Sequence, residues 1–363
     1  MSHPLSGANV ATLLRVFGAN APIEAKRLPQ ALLALLAAIG RLPFTWAERG
    51  YVAARRHRLT DAPAPLFILG HWRSGTTHLY NVLSQSPAFA YVSPFATALP
   101  WDFLLLGRLL EPLLAKALPK HRYIDNIPVT AQSPQEDEIA LANMTPISFY
   151  HGLYFPRRLV EHFNEGVFFD GLDADQIQAW ERLLRYYYDK LMLAQPGRQL
   201  AIKNPVYTAR AGQLQALWPK AKFIHIHRNP YVVFFSMRNF YRKLLAQFAL
   251  QDWSGADIDA LIFDSYARMM ARLDADRPAL EASGGFYELG YDALQADPMG
   301  QLQSIYRALD LPGFAQARPQ FSRYLETVKD YRKNRYGFDP ETVAEISRRW
   351  APYIQRWGYR PPD

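Results

Sequence analysis

One stretch constrains this chain more than any other: Leu66-Phe67-Ile68-Leu69-Gly70-His71-Trp72-Arg73-Ser74-Gly75-Thr76-Thr77. The short apolar run reads as a buried strand, and it flows into a turn of small residues. A helix is expected next, through His78, Leu79, Tyr80, Val82 and Leu83. Strand, small-residue loop and helix form the geometry in which backbone N–H groups and a helix N-terminus wrap a phosphate. The frame from Gly70 to Gly75 has the spacing of a P-loop, but Thr76 stands where that loop carries lysine. Without the lysine, Mg-nucleoside triphosphate chemistry is a poor fit. The loop offers Arg73 instead, whose planar fork suits a tetrahedral oxyanion.

A second segment points the same way. Phe223-Ile224-His225-Ile226-His227-Arg228-Asn229-Pro230 reads as a strand that ends in a cation, and Tyr231 to Ser236 opens the next helix. Between the two lie Leu200-Ala201-Ile202-Lys203-Asn204-Pro205, another short buried strand, and a helix from Ala209 to Trp218. That succession is a right-handed βαβ pattern, in which ligands sit beyond the strand C-termini. Lys203 and Arg228 both stand at strand ends and should face one rim. Phe286 to Leu289 is a further candidate strand, and Met299 to Leu309 an amphipathic helix.

Together these segments resemble the sulfotransferases that use 3′-phosphoadenosine 5′-phosphosulfate (PAPS), in the bacterial-type branch with an Arg-Ser-Gly-Thr-Thr loop. Residues 73–77 match the family's 5′-phosphosulfate loop, and Arg228 with Ser236 match its second signature. Tyr291-Asp292-Ala293-Leu294 is similar to a Tyr-Glu-Asp-Leu stretch found in the family after a strand. The resemblance spans roughly residues 65–311. It implies an α/β fold: a central, mainly parallel sheet flanked by helices, kinase-like, with helical insertions. The whole chain, 1–363, is expected to be one such domain. Residues 1–60 would be an N-terminal helical extension and 312–363 a helical and basic C-terminal segment.

The resemblance assigns cofactor binding to Arg73, Ser74, Gly75, Thr76, Thr77, Arg228 and Ser236. The last two would hold the 3′-phosphate. Catalysis falls to Arg73, with Lys203 as a second cation, because sulfuryl transfer builds charge on the departing 5′-phosphate. The acceptor hydroxyl needs a base, and the family relation points to the acidic segment Ser133-Pro134-Gln135-Glu136-Asp137-Glu138. Glu136 and Glu138 stay open as alternatives, with His78 and His151 behind them. Ser133 followed by Glu136 also reads simply as a helix capping box, which accounts for acids there without chemistry. The segment Lys329 to Gly337 is basic and aromatic, in the place where family members close a loop over the 3′-phosphate.

Composition limits the alternatives. A formal charge of +8 favours anionic ligands, while no long Lys/Arg run or RNA-recognition signature favours nucleic acid. Cysteine is absent, which excludes disulfides and thiolate metal sites, and no metal-ligand spacing occurs. No basic-apolar-small leader opens the sequence, so a cytoplasmic setting is expected. The Leu28–Ile39 run is too short to span a bilayer; it either packs on the chain, the favoured reading, or rests on a membrane surface. Aromatic and leucine-rich residues 94–120 read as core or as the wall of an acceptor pocket. The acceptor is therefore expected to be a small or lipid-like hydroxyl compound. An atypical nucleotide kinase would need a lysine after Gly75 and an acidic Mg²⁺ ligand at a strand end, and neither is evident. A non-catalytic nucleotide- or lipid-binding module would bind without transferring.

Overall fold

The computed structural model describes residues 3–107, 109, 110, 112, 130–329 and 336–362. The chain divides into two compact units, each assembled from several segments. Residues 1–63, 90–200 and 243–256 make the first, and residues 64–89, 201–242 and 257–363 the second.

The first unit is helical. Its N-terminal part holds α1 (Val10–Ala19), α2 (Leu28–Gly40) and α3 (Leu42–Arg55). Asn9 caps α1, its side-chain oxygen accepting from the Thr12 N–H at 2.8 Å. The alanine side of α2, namely Ala31, Ala34 and Ala38, faces inward, so the expected helix packs through its small residues. The helix Ala174–Ala194 opens with a reciprocal Asp173–Gln176 capping box. One of its buried residues is Lys190, which meets Glu48 at 2.6 Å with both side chains sealed from solvent. Glu48 also accepts from the Leu105 N–H at 2.9 Å, and Lys190 donates to the Pro100 carbonyl. Nearby, Arg41 pairs with Asp102 at 3.0 Å and donates to the carbonyls of Ser6 and Ala8. Burial pulls the Lys190 ammonium down to about 8 against the pull of Glu48, and pushes Asp102 up to about 6 despite Arg41.

One expectation changes here. The acidic helix starts at Glu138 rather than after Ser133. The Ser133 hydroxyl is taken by the Thr130 N–H at 2.9 Å, and the Gln135 N–H by the Val92 carbonyl at 2.9 Å, so no capping box forms. In the 94–120 stretch, Trp101, Phe103, Leu104 and Leu106 are buried as core; 108, 111 and 113–129 lie outside the described residues.

The second unit carries the sheet. Its strands are β1 (Leu66–Leu69), β2 (Phe89–Ala90), β3 (Gln199–Lys203), β4 (Lys222–His227) and β5 (Phe286–Gly290), in the spatial order β2-β3-β1-β4-β5. The pairings β1–β3, β1–β4 and β4–β5 are parallel. Central β1 is buried along its whole length, which explains why it reads as continuous rather than alternating hydrophobicity. Phe67 stacks on Phe223 with centroids 5.4 Å apart and meets Tyr207 edge-on at 5.7 Å. In register, Ile68 lies opposite Lys203 and Leu69 opposite His225. β3 ends opposite Ile68 and β4 runs on two residues past His225, but all three strands point the same way, so the residues that follow them gather at one edge of the sheet.

Candidate active site

The loop after β1 is shaped by two glycines. Gly70 has φ +143°, and a Cβ there would lie 2.4 Å from the Ile226 carbonyl oxygen. Its N–H donates to the Thr208 hydroxyl at 2.8 Å, which fixes the start of the loop. Gly75 has φ +104°, and a Cβ would strike the Tyr291 ring at 2.3 Å. The helix α4 (Thr76–Leu83) starts immediately after Gly75, so its first N–H groups open toward the loop. Thr76 and Thr77 occupy that first turn. His71 is buried, and burial lowers it to about 4, so it is a neutral packing group. The Ser74 hydroxyl is buried and meets no hydrogen-bond partner among the described residues.

Arg73 has φ +70°, in the left-handed region that a side chain enters at a cost. Glycine would sit there without strain, so the guanidinium is what the position retains. Its Nε donates to the Ser236 hydroxyl at 2.8 Å. Ser236 lies on the helix Pro230–Phe248, whose proline start suits a first helical turn. Arg228, in the turn that follows β4, donates to the Arg73 carbonyl at 3.3 Å and lies over the Tyr291 ring at 4.6 Å. Burial, with Arg73 beside it, lowers the Arg228 pKa, while Tyr291 opposes the shift. The Tyr291 phenol is in turn raised by burial and held back by Arg228. Two cations thus converge on one hydroxyl and one aromatic ring. Lys203, buried at the end of β3, stands at the same sheet edge.

The expected residues of this unit are thereby brought to one edge: 73–77, Lys203, Arg228 and Ser236. Of the basic segment Lys329–Gly337, residues 330–335 lie outside the described residues, but Tyr336 is described. Its hydroxyl meets Ser236 Oγ at 2.9 Å. Tyr336, Gly337 and Phe338 line an open cavity of about 500 Å³ with Phe235, Arg238 and Arg242. Thr208 was not singled out by the sequence, and nothing local marked it. Tyr291 and Tyr336 lie in the two further segments that resemble the family's, the stretch after a strand and the basic C-terminal loop, though neither was assigned a role of its own.

Glu136 and Glu138 belong to the helical unit. Glu138 is buried and accepts from the Ser148 hydroxyl at 2.7 Å, while Glu136 is half-buried. Their neighbour Asp137 accepts from the Tyr188 hydroxyl at 2.7 Å. His151 is a core residue with both ring nitrogens against carbonyls, those of Pro146 and Ala142, at 2.9 Å each. Neither nitrogen is left for a substrate. His78 lies 6.5 Å from Tyr291, ring to ring. His225 and His227 serve the strand: the first bonds Glu288 at 2.7 Å, the second stacks on Trp357 at 4.2 Å.

A parallel sheet with a glycine-bounded loop, an open helix N-terminus and paired arginines defines an α/β protein whose sheet edge suits phosphate-like anions. The model of the Sulfotransferase family matches residues 65–316, and the chain belongs to that family. The omega-hydroxy-beta-dihydromenaquinone-9 sulfotransferases Stf3 of Mycobacterium bovis and Mycobacterium tuberculosis are each 31% identical over 298 residues. The match covers 82% of this chain and 76% of theirs. The fold is shared with the crystal structure of sulfotransferase STF1 from M. tuberculosis, with TM-score 0.67 and 21% identity over 94% of this chain and 90% of that one. Sulfotransferase STF9 from Mycobacterium avium gives TM-score 0.67 and 18% identity, over 98% of this chain and 97% of that one.

Proposed function

We propose that this chain, acting as one sulfotransferase-like domain, transfers a sulfuryl group from PAPS to the hydroxyl of a lipid-like acceptor. The observation that carries this reading is the 2.8 Å bond from Arg73 Nε to Ser236 Oγ. It joins the two signature segments, one suited to a 5′-phosphosulfate and the other to a 3′-phosphate. The site fits such a group: the buried Ser74 hydroxyl lacks a partner among the described residues, and the loop opens onto a helix N-terminus. When bound, PAPS supplies the sulfuryl group and a phosphate leaving group. Arg73 to Thr77 would hold the 5′ side, and Arg228 with Ser236 the 3′-phosphate. Arg73 and Lys203 would hold positive charge where negative charge grows in the transition state.

Glu138 is our choice for the base that takes the acceptor proton. Its bond from Ser148 Oγ fixes the carboxylate at the start of a helix, where it is buried. Glu138→Gln should lower kcat about 100-fold and leave the affinity for 3′-phosphoadenosine 5′-phosphate (PAP) unchanged. If Glu136→Gln gives that split instead, the base is Glu136. The acceptor class follows from the name of the Stf3 relatives, which specifies an omega-hydroxy menaquinone derivative.

The first experiment is calorimetric titration of PAP, and separately of ATP with Mg²⁺, into wild type and Arg228→Ala. PAP should bind, and the variant should lose about 30-fold or more, since truncating a buried charged donor is costly. Preference for Mg-ATP, or indifference to the substitution, would remove PAPS as the donor.

A further inference from the structure

The least explained surface of the protein is the outer face of α2. The helix carries no charged residue from Leu28 to Gly40. Its alanines point inward, and Leu28, Leu32, Leu33, Leu36 and Ile39 point outward, each about half exposed. Leu32 is 57% and Leu36 56% exposed. At 100° per residue these five lie within one continuous arc, opposite Ala31, Ala34 and Ala38. The next helix adds Phe44 and Trp46, the latter 65% exposed, and α1 adds Leu14. An uncharged helix face with five exposed aliphatic side chains is uncommon on a protein surrounded by water.

The charges near it are one-sided. Residues 1–60 contain eight Lys and Arg against two Glu. Both acids are occupied: Glu48 is buried on Lys190, and Glu24 is paired with Lys26 at 2.8 Å. Arg15, Lys26, Arg49 and Arg58 are exposed. An uncharged leucine face, an exposed tryptophan and a basic surround are the features of a helix that lies in the headgroup region of an anionic bilayer.

A span is the wrong geometry. No single helix among the described residues is long and apolar enough to cross a membrane, though the bent pair Ala25–Gly40 and Leu42–Leu59 meets the length and composition test. The bend is 51°, and thirteen residues of α2 reach only about 20 Å of the roughly 30 Å needed. Insertion across the bilayer would also pull Ala31, Ala34 and Ala38 from their packing and strand the Glu48–Lys190 pair. A second copy is a weaker occupant. Five half-exposed aliphatic side chains offer roughly 500 Å², short of the ~800 Å² per partner typical of stable dimers.

We propose that α2, with Phe44 and Trp46 at its flank, is a monotopic docking face that seats this protein on an anionic membrane surface. The face would bind a bilayer whatever reaction the sheet edge performs. It would also bring the protein to the place where a lipid-like acceptor is concentrated.

The test is sedimentation of the full chain with vesicles of phosphatidylcholine alone and with a third phosphatidylglycerol. Wild type should partition onto the anionic vesicles, more weakly onto neutral ones, and less as salt rises. Leu32→Glu with Leu36→Glu should reduce partitioning tenfold or more, since each carboxylate must otherwise enter the interface. Trp46→Ala is the milder second variant and should give a smaller loss in the same direction. Unchanged circular dichroism and PAP affinity would show that the variants are folded. Failure of folded wild type to bind anionic vesicles would overturn the proposal. So would equal binding by the double variant, or a change from dimer to monomer in place of a change in vesicle binding.

Discussion

Replacing Arg73 with alanine should lower kcat about a thousandfold while weakening PAP binding far less. The residue sits where the loop is strained, at φ +70°, and its Nε is already held by Ser236. A cation fixed before the reaction stabilises growing charge without the cost of reorganising, which is why its loss should appear in the rate. Arg73→Lys keeps a positive charge but loses the planar fork, so it should recover part of the loss. Arg73→Gly relieves the backbone strain and should give a stable but equally slow protein. Single-turnover measurement of sulfuryl transfer, beside calorimetry with PAP, checks both quantities. Retention of more than a tenth of the wild-type rate by Arg73→Ala would mean that another group carries the charge.

The second large effect concerns stability. Lys190→Met should destabilise the protein by about 3–5 kcal/mol, because it leaves the Glu48 carboxylate buried with only the Leu105 N–H. Glu48→Leu alone should cost a similar amount by stranding the ammonium, which also lies 4.7 Å over the Phe103 ring. Combining the two should restore more than half of the loss, since a well-packed apolar pair replaces an ion pair at little cost. Chemical denaturation of the four proteins gives the coupling directly. Additive losses would show that the two charges do not depend on each other. Lys190→Met would also test how the segment around Pro100 and Leu105 is held, because the Pro100 carbonyl and the Leu105 N–H both bond to this pair.

The sheet and the phosphate loop were legible in the sequence because they depend on local chemistry. Apolar runs at 66–69 and 200–202, and the run 223–226 interrupted only by His225, match buried parallel strands, and Gly70 and Gly75 mark positions closed to a Cβ. Arg228 was readable as the cation that follows β4, and Ser236 through the resemblance to the family's second signature. What failed was local reasoning without its competitor. Ser133 had the spacing of a cap, but the Thr130 N–H took its hydroxyl and the Val92 carbonyl took the Gln135 N–H. Such long-range bonds leave no trace in a window of residues. Thr208 was missed for the same reason: it meets Gly70 across 138 positions of chain. The outward leucines of α2 were visible as composition, but which side of the helix carried them became clear only from the buried alanines.

The contact between Arg73 and Ser236 joins residues 163 positions apart, and Arg228 reaches Arg73 across 155. Contacts of such separation form late, because the entropy of closing so long a loop must be met before they add anything. The loop after β1 can fold locally, but its partner hydroxyl arrives only when β4 has paired with β1. A ligand that grips both segments therefore selects the completed sheet, and stabilises it by an amount set by its concentration relative to Kd. In this protein a thermal shift caused by PAP would report the joining of two distant stretches of chain, where in a local loop it would report only the loop.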